Sequence, residues 1–562
     1  MCGIEFSNDL SKIYPLKTKI INSTNYRGPD QSNFIIKEKL FFGFNYLSIT
    51  GSFKGSPQPF LRNGNILIFN GEIYNYLLLK KELLKKNIKF KTDGDTEVLS
   101  ACLEYYGIQK THKLIEGMWS FIYYDAKKKN TIVSRDRLGI KPLFFSKNKN
   151  FFHFSSSIET LRKFFAKGNI INNNQIINFI KRGNIFERDQ TIYKTIKMFP
   201  AGNYCQIIKN NFKFTAYWKL KTKESFGNSD YKLFQKTLKK NISKHNNYDV
   251  KTAIPLSSGI DSNFLLSNFK KKKKLICYSL KNFENDNESN LIKTKLKKFK
   301  NIRHKFIDCK KLTNKKNINN FIKNLDYPIR SFQPIYQFFL RKQAKQDKVK
   351  ILLSGDGADE IFGGYKYAVP YRVSSLILKR NIKDAKILCE KMQSFTGQSK
   401  ETLLSDGKLL SKKKMTLKKF LEKRISISHI PYWLYIDDFV SMKNSIENRV
   451  PFLDSVLVEH LLAWKEDYFF RKGKNKFLLR KYTGSLNTFN QKFHKPGNYS
   501  VVYTILSKDI KKILVSNYFK KNESLKKLYK VYDNDLINKN IKNSDLWFRV
   551  YLITKWIKYK KI

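Results

Sequence analysis

Four short apolar runs, "TAIPLSS" (252–258), "KLICYSL" (274–280), "HKFIDC" (304–309) and "VKILLSGDG" (349–357), are separated by stretches with helical spacing. A strand followed by a helix, repeated, fits few architectures. The repeat predicts a doubly wound parallel sheet with helices on both faces. From about 365 onward the pattern is mostly helical.

At 562 residues the chain is too long for one core. Residues before about 205 read differently. "ILIFNGEIYNY" (66–76) and "WSFIYYDAKKKNTIVSRDRLG" (119–139) are strand-like with turn residues between, and "YNYLLLKKELLKKN" (74–87) has helical spacing. A lysine-rich polar stretch follows. The expected division is a first domain over 2–210, a linker over 211–230 and a second domain over 231–562.

Six cysteines lie far apart with no CxxC pair, which argues against a zinc ribbon or disulfide framework. No secretory signal precedes the first strand, and no uncharged apolar stretch reaches 18 residues. The expectation is a soluble, cytoplasmic protein without membrane contact. The net charge of +63 comes from lysines spread over the whole chain. No nucleic-acid-binding signature accompanies them, so a general lysine bias on solvated faces is expected, with no specific nucleic-acid partner.

The chain opens "MCGIEF". Cysteine is a small second residue, which suits removal of Met1 and would leave a thiol and an α-amine on Cys2. Their reference pKa values, about 8.5 and roughly 7.7–8.0, permit proton exchange near neutrality. Amide hydrolysis needs such a nucleophile, a base and an oxyanion site. Behind Cys2 come "NYRGPDQS" (25–32), "FNYLSI" (44–49), "FNGEIYN" (69–75), "TDGDTEV" (92–98), "RDRLGIKPLFF" (135–145) and "FPAGNY" (199–204). In this order they resemble the glutaminase domain of class II glutamine amidotransferases, N-terminal-nucleophile hydrolases with an αββα sandwich. The resemblance makes Cys2 the nucleophile and puts Asn70 and Gly71 in the oxyanion hole. It places Glu72 and Asp95 near the α-amino group of glutamine, with Tyr46, Leu47, Ser48, Ile49 and Thr50 along the pocket. Relatives carry arginine where Tyr46 stands. Tyrosine cannot make a charged bidentate clamp on the glutamine carboxylate, so a weakened grip is expected unless Lys54 or Arg62 supplies the cation.

"PLSSGIDSN" (255–263) ends a predicted strand and enters a helix, an arrangement whose N–H groups suit an anion. It resembles the pyrophosphate loop of ATP pyrophosphatases, with Ser258 at a position that relatives fill with glycine. "LLSGDGADEIFGGY" (352–365), "SMKNSIENRVPFLD" (441–454) and "GKNKFLLR" (473–480) resemble the asparagine synthetases. The resemblance implies ATP-dependent amidation of aspartate through a β-aspartyl-adenylate. ATP as substrate would contact Leu256, Ser257, Ser258, Gly259, Asp261, Ser262, Leu280, Ser354 and Gly355. Mg²⁺ would sit on Asp261 and Asp359, two carboxylates suited to a hard cation. Asp356 would serve adenylate formation and amine attack, and Lys476 would offset phosphate charge. Arg449 is open between substrate and structural roles. A same-fold amidotransferase acting on another carboxylate, such as a sugar acid, and a non-catalytic nucleotide- or partner-binding relative are the alternatives. A homodimer is carried as an expectation without a motif of its own.

Overall fold

The structure is a computed structural model. It describes residues 2–49, 57–165, 170–183, 189–220, 225–245, 250–269, 275–281, 287–297, 299, 302–308, 312, 314–483 and 544–560.

Among the described residues, twelve strands build the N-terminal half. They are β1 (Gly3–Ser7), β2 (Gln31–Lys37), β3 (Leu40–Tyr46), β4 (Phe60–Arg62), β5 (Asn65–Ile73), β6 (Gly117–Asp125), β7 (Asn130–Arg135), β8 (Phe144–Lys147), β9 (Phe152–Ser155), β10 (Lys197–Met198), β11 (Asn203–Ile208) and β12 (Asn211–Ala216). They form two antiparallel sheets, ordered β10-β8-β9-β1-β3-β2 and β12-β11-β7-β6-β5-β4. The two-residue period of a strand decides how they stack. Ile4, Phe6, Phe42 and Phe44 of one sheet meet Ile66, Ile68, Ile122 and Val133 of the other. The alternate residues Leu67, Phe69 and Phe121 face Val98, Leu99 and Cys102 of the helix Asp95–Leu114. On the far side Phe41 packs with Ile13, Ile20 and Leu161 of the helices Leu10–Asn22 and Ile158–Phe164. The layers run helix, sheet, sheet, helix, as expected.

The linker begins later than expected. Asn211–Ala216 pairs along its whole length with β11 as an edge strand. Phe212 and Phe214 join an aromatic cluster with Phe152 and Phe199 while Lys213 faces solvent. Charged residues on an edge strand deter pairing with other chains, and they make such a strand read as a polar connection.

The second sheet system is parallel: β13 (Thr252–Pro255), β14 (Leu275–Lys281), β15 (Ile302–Asp308), β16 (Ile351–Leu353) and β17 (Glu447–Arg449), in the order β15-β14-β13-β16-β17. Ala253, Ile276, Tyr278 and Leu352 face Leu340 and Ala344 of the helix Gln333–Gln346. Ile254, Cys277, Ile351 and Leu353 face the opposite core with Phe264 and Leu265. Both faces of β13, β14 and β16 are covered, which is why these strands read as apolar runs; the edge strand β15 keeps Arg303 exposed. The fifth strand, "ENR", lies in the region expected to be mostly helical; three polar residues carry no strand signal.

The helix Ser544–Lys560 packs against both halves. Trp556 Nε1 donates to Leu325 O at 3.1 Å and Arg549 Nε to Ile180 O at 2.8 Å. Among the described residues no helix is long and apolar enough to cross a membrane.

Candidate active sites

Cys2 sits at the head of β1, buried between the two sheets. Its N–H donates to Asn70 Oδ1 at 3.0 Å, and its carbonyl accepts from Arg27 Nε at 3.1 Å. Burial pushes the thiol pKa up, opposed by the chain's terminal ammonium and by the Leu47 N–H directed at sulfur. Asn70 Nδ2 is buried and has no acceptor among the described residues. An orphaned buried donor beside a nucleophile is the geometry an oxyanion hole requires. Gly71 follows, where a Cβ would lie 2.1 Å from Met118 O, so only glycine lets this backbone lie against β6.

A cleft of about 380 Å³, partly open to solvent, joins Cys2, Tyr46, Leu47, Ile49, Gly71, Glu72 and Asp95. Of the expected pocket residues, Ser48 is engaged elsewhere through its N–H, which donates to Asp30 Oδ2 at 2.9 Å. Thr50 and Lys54 lie outside the described residues. Sequence reasoning missed Gln58, Phe69 and Thr96, which also line the cleft. Gln58 mimics a strand neighbour, accepting from Phe69 N–H at 2.6 Å and donating to Thr96 Oγ1 at 3.2 Å. No local pattern marks it. Arg62 does not serve the cleft: it binds Glu97 at 3.1 Å and Glu104 at 2.9 Å.

Two carboxylates give the cleft its polarity. Asp95 opens its helix and accepts from Ile73 N–H at 2.9 Å; burial, only partly offset by that bond, raises its pKa to about 6. Glu72 is raised to about 8, by burial first, with Asp95 and Glu447 adding to it and Arg449 opposing. Tyr46 is pushed up to about 12 by burial and then by the negative fields of Cys2, Asp95 and Glu72.

The second site lies at the C-terminal ends of β13 and β16. Ser257 N–H donates to Ser262 Oγ at 3.1 Å and Gly259 N–H to Ser257 Oγ at 3.2 Å, folding the turn before the helix Ile260–Phe269. Ser258 keeps an ordinary negative-φ backbone and turns aside: its N–H and hydroxyl both donate to Glu288 Oε1, at 2.9 and 3.0 Å. The Cβ at this position is therefore accommodated without left-handed strain. Leu256 N–H continues the sheet to Tyr278 O at 2.7 Å, while Leu280, near the end of β14, packs against the cores. The Ser354 hydroxyl donates to Asp356 Oδ2 at 2.6 Å. Gly355 brings the two loops together, since a Cβ there would lie 3.1 Å from Asp261 Cβ.

Lys476 Nζ stands 2.6 Å from Asp261 Oδ2 and 2.7 Å from Asp359 Oδ1. Burial lowers the lysine pKa, but the two carboxylates outweigh it and the net shift is upward. The backbone of Lys476 is left-handed, with φ 50°, a strain of about 1–3 kcal/mol that tends to persist where a side chain must be aimed. Gly364 makes the room: a Cβ there would fall 1.7 Å from Asp359 Oδ1 and 2.2 Å from Lys476 Cε.

Over residues 1–218 the chain matches the family model of a glutamine amidotransferase domain, and over 233–486 that of asparagine synthase. It is 28% identical to asparagine synthetase [glutamine-hydrolyzing] 1 of Bacillus subtilis, across 81% of this chain and 79% of that protein. A Methanocaldococcus jannaschii protein named for the same family is 30% identical across 65% of this chain and 76% of its own length. The chain belongs to the glutamine-hydrolysing asparagine synthetase family. At family level it is a ligase for glutamine-dependent amidation.

This asparagine synthetase-family chain also joins its two sites through buried charge. Arg27, whose Nε holds the Cys2 carbonyl, places Nη2 2.9 Å from Asp438 Oδ2 in the helix Ile430–Met442. Arg449, fully buried on β17, lies 2.6 Å from Glu447 Oε1 and 3.5 Å from Glu72 Oε2. Burial works against ionisation of Glu447, but Arg449, the terminal ammonium and Lys141 hold it down to about 2. The closer carboxylate thus takes most of the compensation, and the more distant Glu72 stays high. Removing one member of such a buried pair costs about 3–5 kcal/mol because it strands the other charge, so each of these residues is sensitive to substitution. The "RDRLGIKPLFF" motif is structural at its core. Asp136 accepts backbone N–H bonds from Leu138, Ile140 and Lys141, and Arg135 donates to the carbonyls of Gly139, Lys141 and Phe199.

Proposed function

We propose that the chain makes asparagine from aspartate, ATP and glutamine. The observation that carries the synthetase half is the convergence of Asp261, Asp359 and Lys476 where two loops leave a parallel sheet. Once Met1 is removed, the Cys2 nitrogen becomes an amine. Asn70 Oδ1 holds one of its hydrogens, which leaves the lone pair for the thiol proton. The sulfur then attacks the glutamine side-chain amide, with Asn70 Nδ2 and Gly71 N–H receiving the developing oxyanion. Glu72 and Asp95 hold the glutamine ammonium, ammonia leaves after the amine returns its proton, and water then hydrolyses the γ-glutamyl thioester to release glutamate and restore the Cys2 thiol.

In the second site the aspartate side-chain carboxylate attacks the α-phosphorus of ATP. The bond to the pyrophosphate oxygen breaks, giving β-aspartyl-adenylate and pyrophosphate. Ammonia then displaces AMP from the activated acyl carbon. The N–H groups of the Ser257–Gly259 turn, held here by the side chains of Ser262, Glu288 and Ser257, would exchange those partners for phosphate oxygens, and Lys476 would offset the phosphate charge. Asp261 and Asp359 fit Mg²⁺: both are carboxylates, they converge on one cationic group, and each keeps a partly exposed edge, 20% and 38% of the side chain. Bound there, the ion would stabilise negative charge on the departing pyrophosphate. Asp356, held by Ser354, is proposed to serve adenylate formation and amine attack.

The test is product analysis of the purified chain with each nitrogen source. Cys2→Ala should abolish glutamine-dependent asparagine formation and leave ammonium-dependent formation largely intact. Equal loss of both in a folded variant, or no asparagine from wild type with ammonium, would refute the reading.

A further inference from the structure

Glu72 faces two ways. One side borders the glutamine cleft; the other is met by Arg449, reaching in from the parallel sheet at 3.5 Å. The backbone of Arg449 faces the nucleotide loop. It pairs with Leu353, and its carbonyl accepts from Ser354 N–H at 3.0 Å. The adjacent Asn448 Nδ2 donates to Ser354 Oγ at 3.1 Å, and that hydroxyl donates to Asp356. One three-residue strand therefore touches a carboxylate of the glutamine cleft with a side chain and the proposed adenylation carboxylate through two hydrogen bonds.

We propose that Arg449 is a positioning residue that competes with the glutamine ammonium for Glu72 and so couples filling of the cleft to the nucleotide loop. In the empty cleft the guanidinium divides between Glu447 and Glu72. An ammonium arriving at Glu72 and Asp95 satisfies Glu72 from the other side, and Arg449 falls back on Glu447 and on the His245 carbonyl, which accepts from its Nη1 at 3.5 Å. Any shift of β17 is transmitted to Ser354, because the same residue supplies the carbonyl that holds it. By linkage, occupancy at the nucleotide loop must then alter glutamine affinity by the same factor. The inference rests on the glutaminase and synthetase readings above.

The experiment measures glutamine KM and kcat for the full chain, with and without saturating ATP and aspartate, alongside ammonium-dependent synthesis. In wild type the two glutamine KM values should differ by about fivefold or more, the lower range of allosteric couplings. Arg449→Met combined with Glu447→Gln removes one charge of each sign, which avoids stranding the carboxylate closest to the guanidinium. It should bring the ratio to one while ammonium-dependent kcat/KM stays within about threefold. Glu447→Gln alone leaves Arg449 to Glu72, and should raise glutamine KM about fivefold or more with kcat unchanged. A double variant that keeps the wild-type ratio, or a Glu447→Gln chain with unaltered KM, overturns the proposal and leaves the function standing. Wild type without glutamine hydrolysis or without aspartate-dependent synthesis overturns both.

Discussion

The Cys2 N–H donates to Asn70 Oδ1 at 3.0 Å, and that bond decides which way the Asn70 amide points. An amide has one accepting end and one donating end. With the oxygen committed to Cys2, Nδ2 is turned into the buried space beside the nucleophile, where it has no protein acceptor among the described residues. Substitution of Asn70 should therefore fall on the transition state. Asn70→Ala is expected to lower kcat for glutamine hydrolysis by about 10²–10³, the usual cost of one oxyanion donor, with a smaller change in KM. Steady-state kinetics of the folded variant check this. A loss confined to KM would assign Asn70 to substrate binding instead.

At the second site, charge balance sets the expectation. Lys476 is enclosed by Asp261 and Asp359, so either Asp→Asn change removes half of its local compensation as well as a proposed ion ligand. Asp261→Asn and Asp359→Asn should each suppress aspartate-dependent exchange of pyrophosphate into ATP, with ammonium or glutamine alike, while hydrolysis of glutamine persists. Near-wild-type exchange in both variants would remove these residues from adenylate formation.

Much of the fold was legible because burial dictates it. The two-sided strands β13, β14 and β16 have to be apolar runs, and in the N-terminal sandwich Leu67, Ile68 and Phe69 are all apolar because both faces of β5 are covered. The candidate pocket was legible only as motifs: Cys2, Tyr46, Gly71, Glu72 and Asp95 are brought into one cleft by strand order, which sequence spacing does not contain. Arg449 shows the limit. "ENR" carries no strand signal, since its three side chains are polar yet buried: Glu447 and Arg449 pair with each other, Arg449 also meets Glu72 across the domain boundary, and Asn448 donates to Ser354 and Asp437. Gln58 was equally hidden, because its role is to imitate backbone. Lys213 misled for the converse reason, an edge strand being free to look like a linker.

Glu72 ties glutamine binding to pH. Burial, reinforced by Asp95 and Glu447, places its pKa at about 8, above the ordinary 4.5. A raised carboxyl pKa means that the folded chain holds a proton the unfolded chain has lost. Stability from this group is therefore present at low pH and declines as pH rises from about 4.5 toward 8. The charged form is the one that binds an ammonium. Glutamine KM should consequently fall as pH rises between about 6.5 and 8.5, and Glu72→Gln should raise KM and flatten that limb. Kinetics across this range test it, with kcat recorded separately because the Cys2 thiol also titrates upward. A pH-independent KM in wild type would mean that Glu72 is already ionised.

Tyr46 poses the sharpest question of the cleft. It stands at the end of β3 with Cys2, Glu72 and Asp95 as electrostatic neighbours. Arginine here would face two carboxylates and a bound α-carboxylate; tyrosine contributes at most one neutral hydrogen bond. Arg62, the described cation considered as a substitute, is committed to Glu97 and Glu104. A charge-assisted bond contributes about 1.5–3 kcal/mol, so its loss weakens binding by about ten- to a hundredfold. The expected result is a high glutamine KM in wild type and a lower one in Tyr46→Arg, with ammonium-dependent synthesis unchanged because the nucleotide loops are elsewhere. Kinetics of both proteins with both nitrogen sources decide it. If wild type binds glutamine tightly and Tyr46→Arg weakens it, the α-carboxylate is held by another group. The hydroxyl of Tyr46 would then be part of the pocket's working surface, and the tyrosine a substitution selected for glutamine rather than a lost clamp.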